Sequence, residues 1–288
     1  MLDTPTIGYC LEGALVLGGL VVLSRLGLGA RRLRRQHASS GSAGAVPTTR
    51  RLPVRSLPAE DLGYFAAAVV LPVLLTLVCA RLLPHYFSTL NSGQLTLALT
   101  FVQELGMIAV IVAYHVWLRT PDPLPAESVT PPLRPRLAAL PTGLLTFLAA
   151  LPLVYLVGGL WQGLLTLCGF PVAHQNIVEI FLGFDTPLTQ ALFTFVAAVL
   201  VPCNEELIFR AGLFRGLRDT IPRPWAIGIS ALVFAAAHQD VTSFLPLAVL
   251  GAVFAIAYER TGNIGTVIIA HALFNLNTLG ALMLGVNA

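Results

Sequence analysis

The chain has 288 residues, 56% of them hydrophobic and 11% charged, with a formal net charge of +3. Soluble globular domains carry about 25% charged residues, so this chain has too little charge to solvate a surface. The small positive balance lies in short connections rather than on one face, which excludes a nucleic-acid footprint.

Apolar runs near twenty residues long recur along the chain, matching a hydrocarbon core about 30 Å thick. The first covers 7–30 and ends in Arg31, Arg32, Arg34 and Arg35. A signal peptide carries its positive charge before the apolar region, so this run reads as a retained helix. Residues 36–58 are rich in Ser, Gly, Ala, Pro and Arg and read as a flexible cytoplasmic loop. Further spans are expected at 62–83, 94–118, 138–168, 188–213, 225–238, 243–258 and 265–285. The expected fold is therefore all-α, a polytopic integral membrane bundle of about eight transmembrane helices. The Pro-rich stretch 120–136 reads as loop, and 171–187 as a mildly polar connection with a short interfacial helix.

Arginine placement orients the bundle. All 17 basic residues are Arg. They concentrate at 31–55, 119–136, 215–223 and 260, in alternate connections, which is the positive-inside pattern. Those connections are expected in the cytoplasm and both termini outside it, in a bacterial plasma (inner) membrane. Cys10, Cys79, Cys168 and Cys203 stand singly in apolar runs, so neither a disulfide framework nor a thiolate metal site is expected. Gly159 and Gly163 form a GxxxG, a weak sign of a helix-packing seam.

An ionisable group in a bilayer costs at least about 2.5–3.5 kcal/mol on insertion scales. The first half holds few: Glu12, Arg25 and Glu104, with His115 near a helix end. Glu104 reads equally as a hydrogen-bonded packing residue or a support for a site. The second half holds a cluster: Glu205, Glu206, Arg210, His238, His271 and Asn275. Glu206 and Arg210 are i, i+4 and can pair on one helix face. Glu205, turned by about 100°, is left for other work. Pro202, just upstream, is expected to kink its helix and open a wet cavity. Phe234 and His238 share a spacing that lets a ring support the imidazole. His271 and Asn275 share one face of the last span.

Such a set suits attack of water on a carbonyl. Glu205 can act as general base with His238 holding the water. His271 and Asn275 can donate to a tetrahedral oxyanion, each donor worth about 2.7–4 kcal/mol. A metal version is also open, with Glu205, His238 and His271 as the zinc ligand set, or with Glu206 in place of Glu205 as ligand, the other glutamate serving as base. His-Glu-x-x-His is absent, as are Gly-x-Ser-Gly and Gly-x-Gly-Asp, which argues against single-helix zinc proteases and against serine and aspartyl intramembrane proteases.

Glu205-Glu206-x-x-x-Arg210, Phe234-x-x-x-His238 and His271-x-x-x-Asn275 lie in this order on successive spans. Together they resemble the three motifs of the CAAX protease and bacteriocin-processing (CPBP, or Abi) family, and 251–262 resembles that family's link into its last motif. Ala211 departs from the Gly common after the Arg. The resemblance covers about 188–280. It implies an intramembrane endopeptidase, labelled a metalloprotease by habit, cutting a membrane-associated protein or peptide near the cytoplasmic leaflet. It implies Glu205 and His238 as the water-activating pair and His271 with Asn275 as the oxyanion site, with a metal-free glutamate mechanism preferred. The chain divides accordingly into N-terminal membrane helices of unassigned role, 1–187, and a catalytic core, 188–288. The rival readings are a proton-coupled carrier and a catalytically idle scaffold or immunity-type protein.

Overall fold

The computed structural model describes residues 3–39, 59–86, 91–113, 139–171, 183–184 and 186–286. Of the expected loop 36–58, residues 36–39 continue the first helix and 40–58 lie outside the described residues, as do the expected loop 120–136, His115, and 172–182 and 185 of the expected connection 171–187. Every regular element among the described residues is helical. Six helices among the described residues are long and apolar enough to cross a membrane, and two shorter apolar ones accompany them. The chain is an all-α, multi-pass integral membrane protein.

The first helix, α1 (Thr4–Ser39), runs well past the expected end of its span. Arg, Leu and Gln dominate 31–36 and are good helix formers, and no Pro or Gly interrupts them. Next come α2 (Ala59–Tyr86) and α3 (Ser92–Ala113), which pack as a hairpin. Asn91 starts α3 with a reciprocal cap. Its Oδ1 accepts from the Gln94 amide at 2.8 Å, and Gln94 Oε1 accepts from the Asn91 amide at 3.1 Å. Then follows α4 (Ala139–Leu167), which contacts α1, the last two helices and the core between them.

The next helical run, α5, is not uniform. It is α-helical over Pro187–Phe195, π-helical over Val196–Leu200, α-helical over Val201–Glu206, π-helical over Leu207–Phe214 and α-helical again over Arg215–Thr220. π turns inside α-helices concentrate at functional sites. Pro202 accounts for part of this. In the π register the Val201 amide bonds Val196 O, five residues back. Pro202 would take Ala197 O by the same register but has no N–H to give. Asn275 fills the place, its Nδ2 donating to Ala197 O at 2.7 Å.

Three helices complete the chain: α6 (Arg223–Ala237), α7 (Phe244–Thr261) and α8 (Ile264–Met283). The α7–α8 turn is tight because Gly262 adopts φ 62° and Asn263 caps α8 through the Gly265 amide. The largest core joins Phe147 and Leu151 of α4, Phe214 of α5, Ala226 of α6, Leu250 and Phe254 of α7, and Val267 and Ala270 of α8. Where Gly143 of α4 meets α8, an added Cβ would stand 2.9 Å from Thr266 O. A Cβ added at Gly159 or Gly163 would meet no neighbour within 4 Å among the described residues, whereas the close small-residue contact is at Gly143.

Candidate active site

The site forms where α5, α6 and α8 converge, with α7 behind them and α3 alongside. Its base is an ion pair held inside the protein. Glu206 Oε1 accepts from Arg210 Nη1 at 2.9 Å, one helical turn away. Arg210 Nη2 also reaches Gly251 O at 3.3 Å. The guanidinium lies 4.3 Å from the Phe234 ring centroid and 5.3 Å from that of Phe254. Both members of the pair are 1% exposed or less, so stacking and ion pairing stand in for water around the cation.

The same carboxylate orients the first histidine. His271 Nδ1 donates to Glu206 Oε1 at 2.8 Å. The ring is 3% exposed and wedged between Phe234 and Phe254. With Nδ1–H engaged, Nε2 is the free atom, and it stands 3.8 Å from Glu205 Oε2.

The second histidine is held differently. α6 has 15 residues, so it is about 22 Å long, short of a 30 Å hydrocarbon core. His238 caps its end. Its Nδ1 donates to Phe234 O at 2.9 Å, and the Phe234 ring packs edge-on at 4.9 Å. Its Nε2 faces Glu205 Oε2 at 4.0 Å. The turn after it is secured by polar contacts. Asp240 accepts from the Thr242 amide and the Ser243 hydroxyl, and Trp161 Nε1 of α4 donates to Val241 O at 2.8 Å. Gln239, beside the histidine, takes φ 53°, a strained backbone for a residue with a side chain.

Glu205 thus stands between two imidazoles whose Nε2 atoms face it. Its Oε2 is buried and has no hydrogen-bond partner among the described residues; Glu206 Oε2, Arg210 Nε and Asn204 Oδ1 share that condition. Two acceptors about 2.8 Å from a shared water stand roughly 4 Å apart when they meet it near a right angle. The observed 3.8 and 4.0 Å suit that arrangement. Tetrahedral zinc with ligands about 2.0–2.1 Å away needs donors roughly 3.4 Å apart. Among the described residues no group of three His, Cys, Asp or Glu side chains could hold a metal ion. The three residues as they stand do not fit a bound zinc.

All six sequence-derived residues sit in or beside this one place. Asn275 differs in detail, because one of its amide protons already serves Ala197 O. Glu104 is not a separate polar site. It is 4% exposed and accepts from Asn204, the residue before Glu205. Sequence reasoning misses Asn204, although an Asn in an apolar run beside two Glu is a usable signal. A second polar group lies elsewhere. Glu12 of α1 accepts from Tyr155 of α4 at 2.7 Å and from Asn277 of α8 at 2.9 Å, fastening α1 to the core.

Residues 187–277 match the Type II CAAX prenyl endopeptidase Rce1-like family. The "Putative membrane peptidase YdiL" of Bacillus subtilis (strain 168) is 33% identical over 84 residues, 29% of this chain and 34% of that protein. The chain thus spans about a third of that relative's length. No solved structure matches the chain. The family likeness read from the three motifs is found independently over the same third of the sequence.

Proposed function

We propose that this protein is an intramembrane endopeptidase of the CAAX-protease type, hydrolysing a peptide bond of a membrane-associated protein or peptide near the cytoplasmic leaflet. One observation carries the reading: the Glu205 carboxylate faces two oriented imidazoles across gaps of 3.8 and 4.0 Å, in a chain whose matching family acts as endopeptidases. In this reading a water lodged between Glu205 and His238 gives its proton to Glu205 and attacks the scissile carbonyl carbon. The C–O bond forms as the carbonyl π pair moves to oxygen. His271, carrying a proton on each nitrogen with Glu206 behind it, donates through Nε2 to that oxyanion. The second amide proton of Asn275 is available to the same oxygen. Glu205 then returns the proton to the leaving amine as the C–N bond breaks.

The cytoplasmic placement rests on the Arg-rich connections. The α5–α6 corner adds to it, because Arg218 and Arg223 both pair with Glu259 at the foot of α7, at 2.8 and 2.5 Å. The test is cleavage by purified protein of two quenched fluorogenic peptides of one sequence, one farnesylated and one bare. The protein is expected to cut at least one, and to keep its rate after chelation with no zinc detected by elemental analysis. Activity lost with the chelator and restored by zinc would transfer the reading to the metal version. No cleavage of either peptide would leave the carrier and scaffold readings in place.

A further inference from the structure

Among the described residues no hydrogen bond holds Glu205. Its Oε2 lacks a partner among the described residues, and both imidazoles stand beyond hydrogen-bond reach. Its aim is therefore set by the backbone turn that carries it. That turn, Val201–Glu206, is a six-residue α-helical piece between two π stretches. Each π insertion rotates the next part of the helix about its axis, so α5 alone does not fix where Glu205 points. A roll of only 10° moves a group 5–6 Å from the axis by about 1 Å.

Two side-chain fastenings from outside α5 grip this turn: Glu206 to His271 of α8 at 2.8 Å, and Asn204, beside Glu205, to α3. Asn204 is 0% exposed, and its Nδ2 donates twice into α3: to Glu104 O at 3.0 Å and to Glu104 Oε2 at 2.7 Å. The Glu104 carbonyl is an acceptor only, so the amide sits with its nitrogen toward α3. Two bonds from one amide to the main chain and side chain of a single residue fix roll as well as distance. Glu104 lies far outside the segment 187–277 that carries the family match. A buried carboxylate in a span needs a reason to be there, and this fastening supplies one.

We infer that Glu104 is a positioning residue of the site, acting through Asn204 to fix the rotation of the α5 turn that presents Glu205 to His238 and His271. The N-terminal helices then take part in the chemistry through α3. The inference rests on the hydrolytic reading above, and its experiment separates the two. Glu104→Leu, Asn204→Leu and the double Leu variant are compared with the parent on whichever fluorogenic peptide the parent cleaves. Replacing both partners by apolar groups of similar size costs little stability, so the double variant is expected to fold. All three are expected to lose about tenfold to a hundredfold in kcat, with KM nearly unchanged and the double variant no worse than the singles. Glu104→Gln keeps an acceptor for Asn204 and is expected to recover most of the loss of Glu104→Leu. A double variant with the parental kcat, or a loss confined to KM, overturns the positioning role alone. A parent that cleaves neither peptide removes the hydrolytic reading, and with it the reaction that Glu104 is said to serve.

Discussion

At the scale of residues, the site is organised by sharing. One oxygen, Glu206 Oε1, receives both Arg210 and His271, so a single carboxylate anchors a cation and orients an imidazole. Glu205, its neighbour in sequence, is left facing the gap. Removing the shared carboxylate leaves a buried guanidinium without a counter-charge, a defect that costs about 3–5 kcal/mol. Glu206→Gln is therefore expected to lower the thermal unfolding midpoint in detergent sharply. A midpoint equal to the parent's would mean that the pair is not the site's base. This part of the site is legible in the sequence. The i, i+4 spacing of Glu206 and Arg210 states the pairing outright, and the same spacing places Phe234 beneath His238. The link from Glu206 to His271 is not legible, because 65 residues separate them and no local period encodes which helices meet.

At the scale of elements, α5 carries most of the meaning. Pro202 signals a break, which the sequence alone renders as a kink. The structure answers with a π stretch before the proline and a second after Glu206. A single chain shows where an N–H is missing but not which register absorbs the loss. It also does not show that Asn275 takes over the orphan at Ala197 O. This yields a coupled prediction. Asn275→Ala leaves a buried carbonyl unpaired, costing about 1–3 kcal/mol. In a Pro202→Ala background the new amide can serve that oxygen, so the same change is expected to cost much less. Thermal melts of the four proteins of this cycle read the coupling directly. Strict additivity would contradict the assignment of Asn275 to that carbonyl.

At the scale of the whole molecule, the bundle class comes from composition alone, since 11% charge leaves no soluble alternative. The number of spans is less sharply encoded. α6, with 15 residues, is apolar enough but short, and His238 caps its end. Contacts cross the boundary expected at 187. α3 reaches the site through Glu104, and α4 packs against α7 and α8. The GxxxG at Gly159 and Gly163 is a misleading sign because spacing alone does not tell which helix face meets a neighbour. Gly143→Leu is expected to abolish the monodisperse peak in size-exclusion chromatography, since its side chain would enter Ile269 and Thr266 of α8. Gly159→Leu is expected to leave that peak intact, and an equal response of the two would contradict the packing of α4 on α8. What all of this packing serves is one carboxylate held before two imidazoles. Its most direct test is the cleavage rate of Glu205→Gln and of His238→Ala beside the parent, each shown folded by its elution profile. Losses of about 10²–10⁴-fold are expected for Glu205→Gln and a clear loss for His238→Ala. Either variant cutting as fast as the parent would contradict the hydrolytic reading.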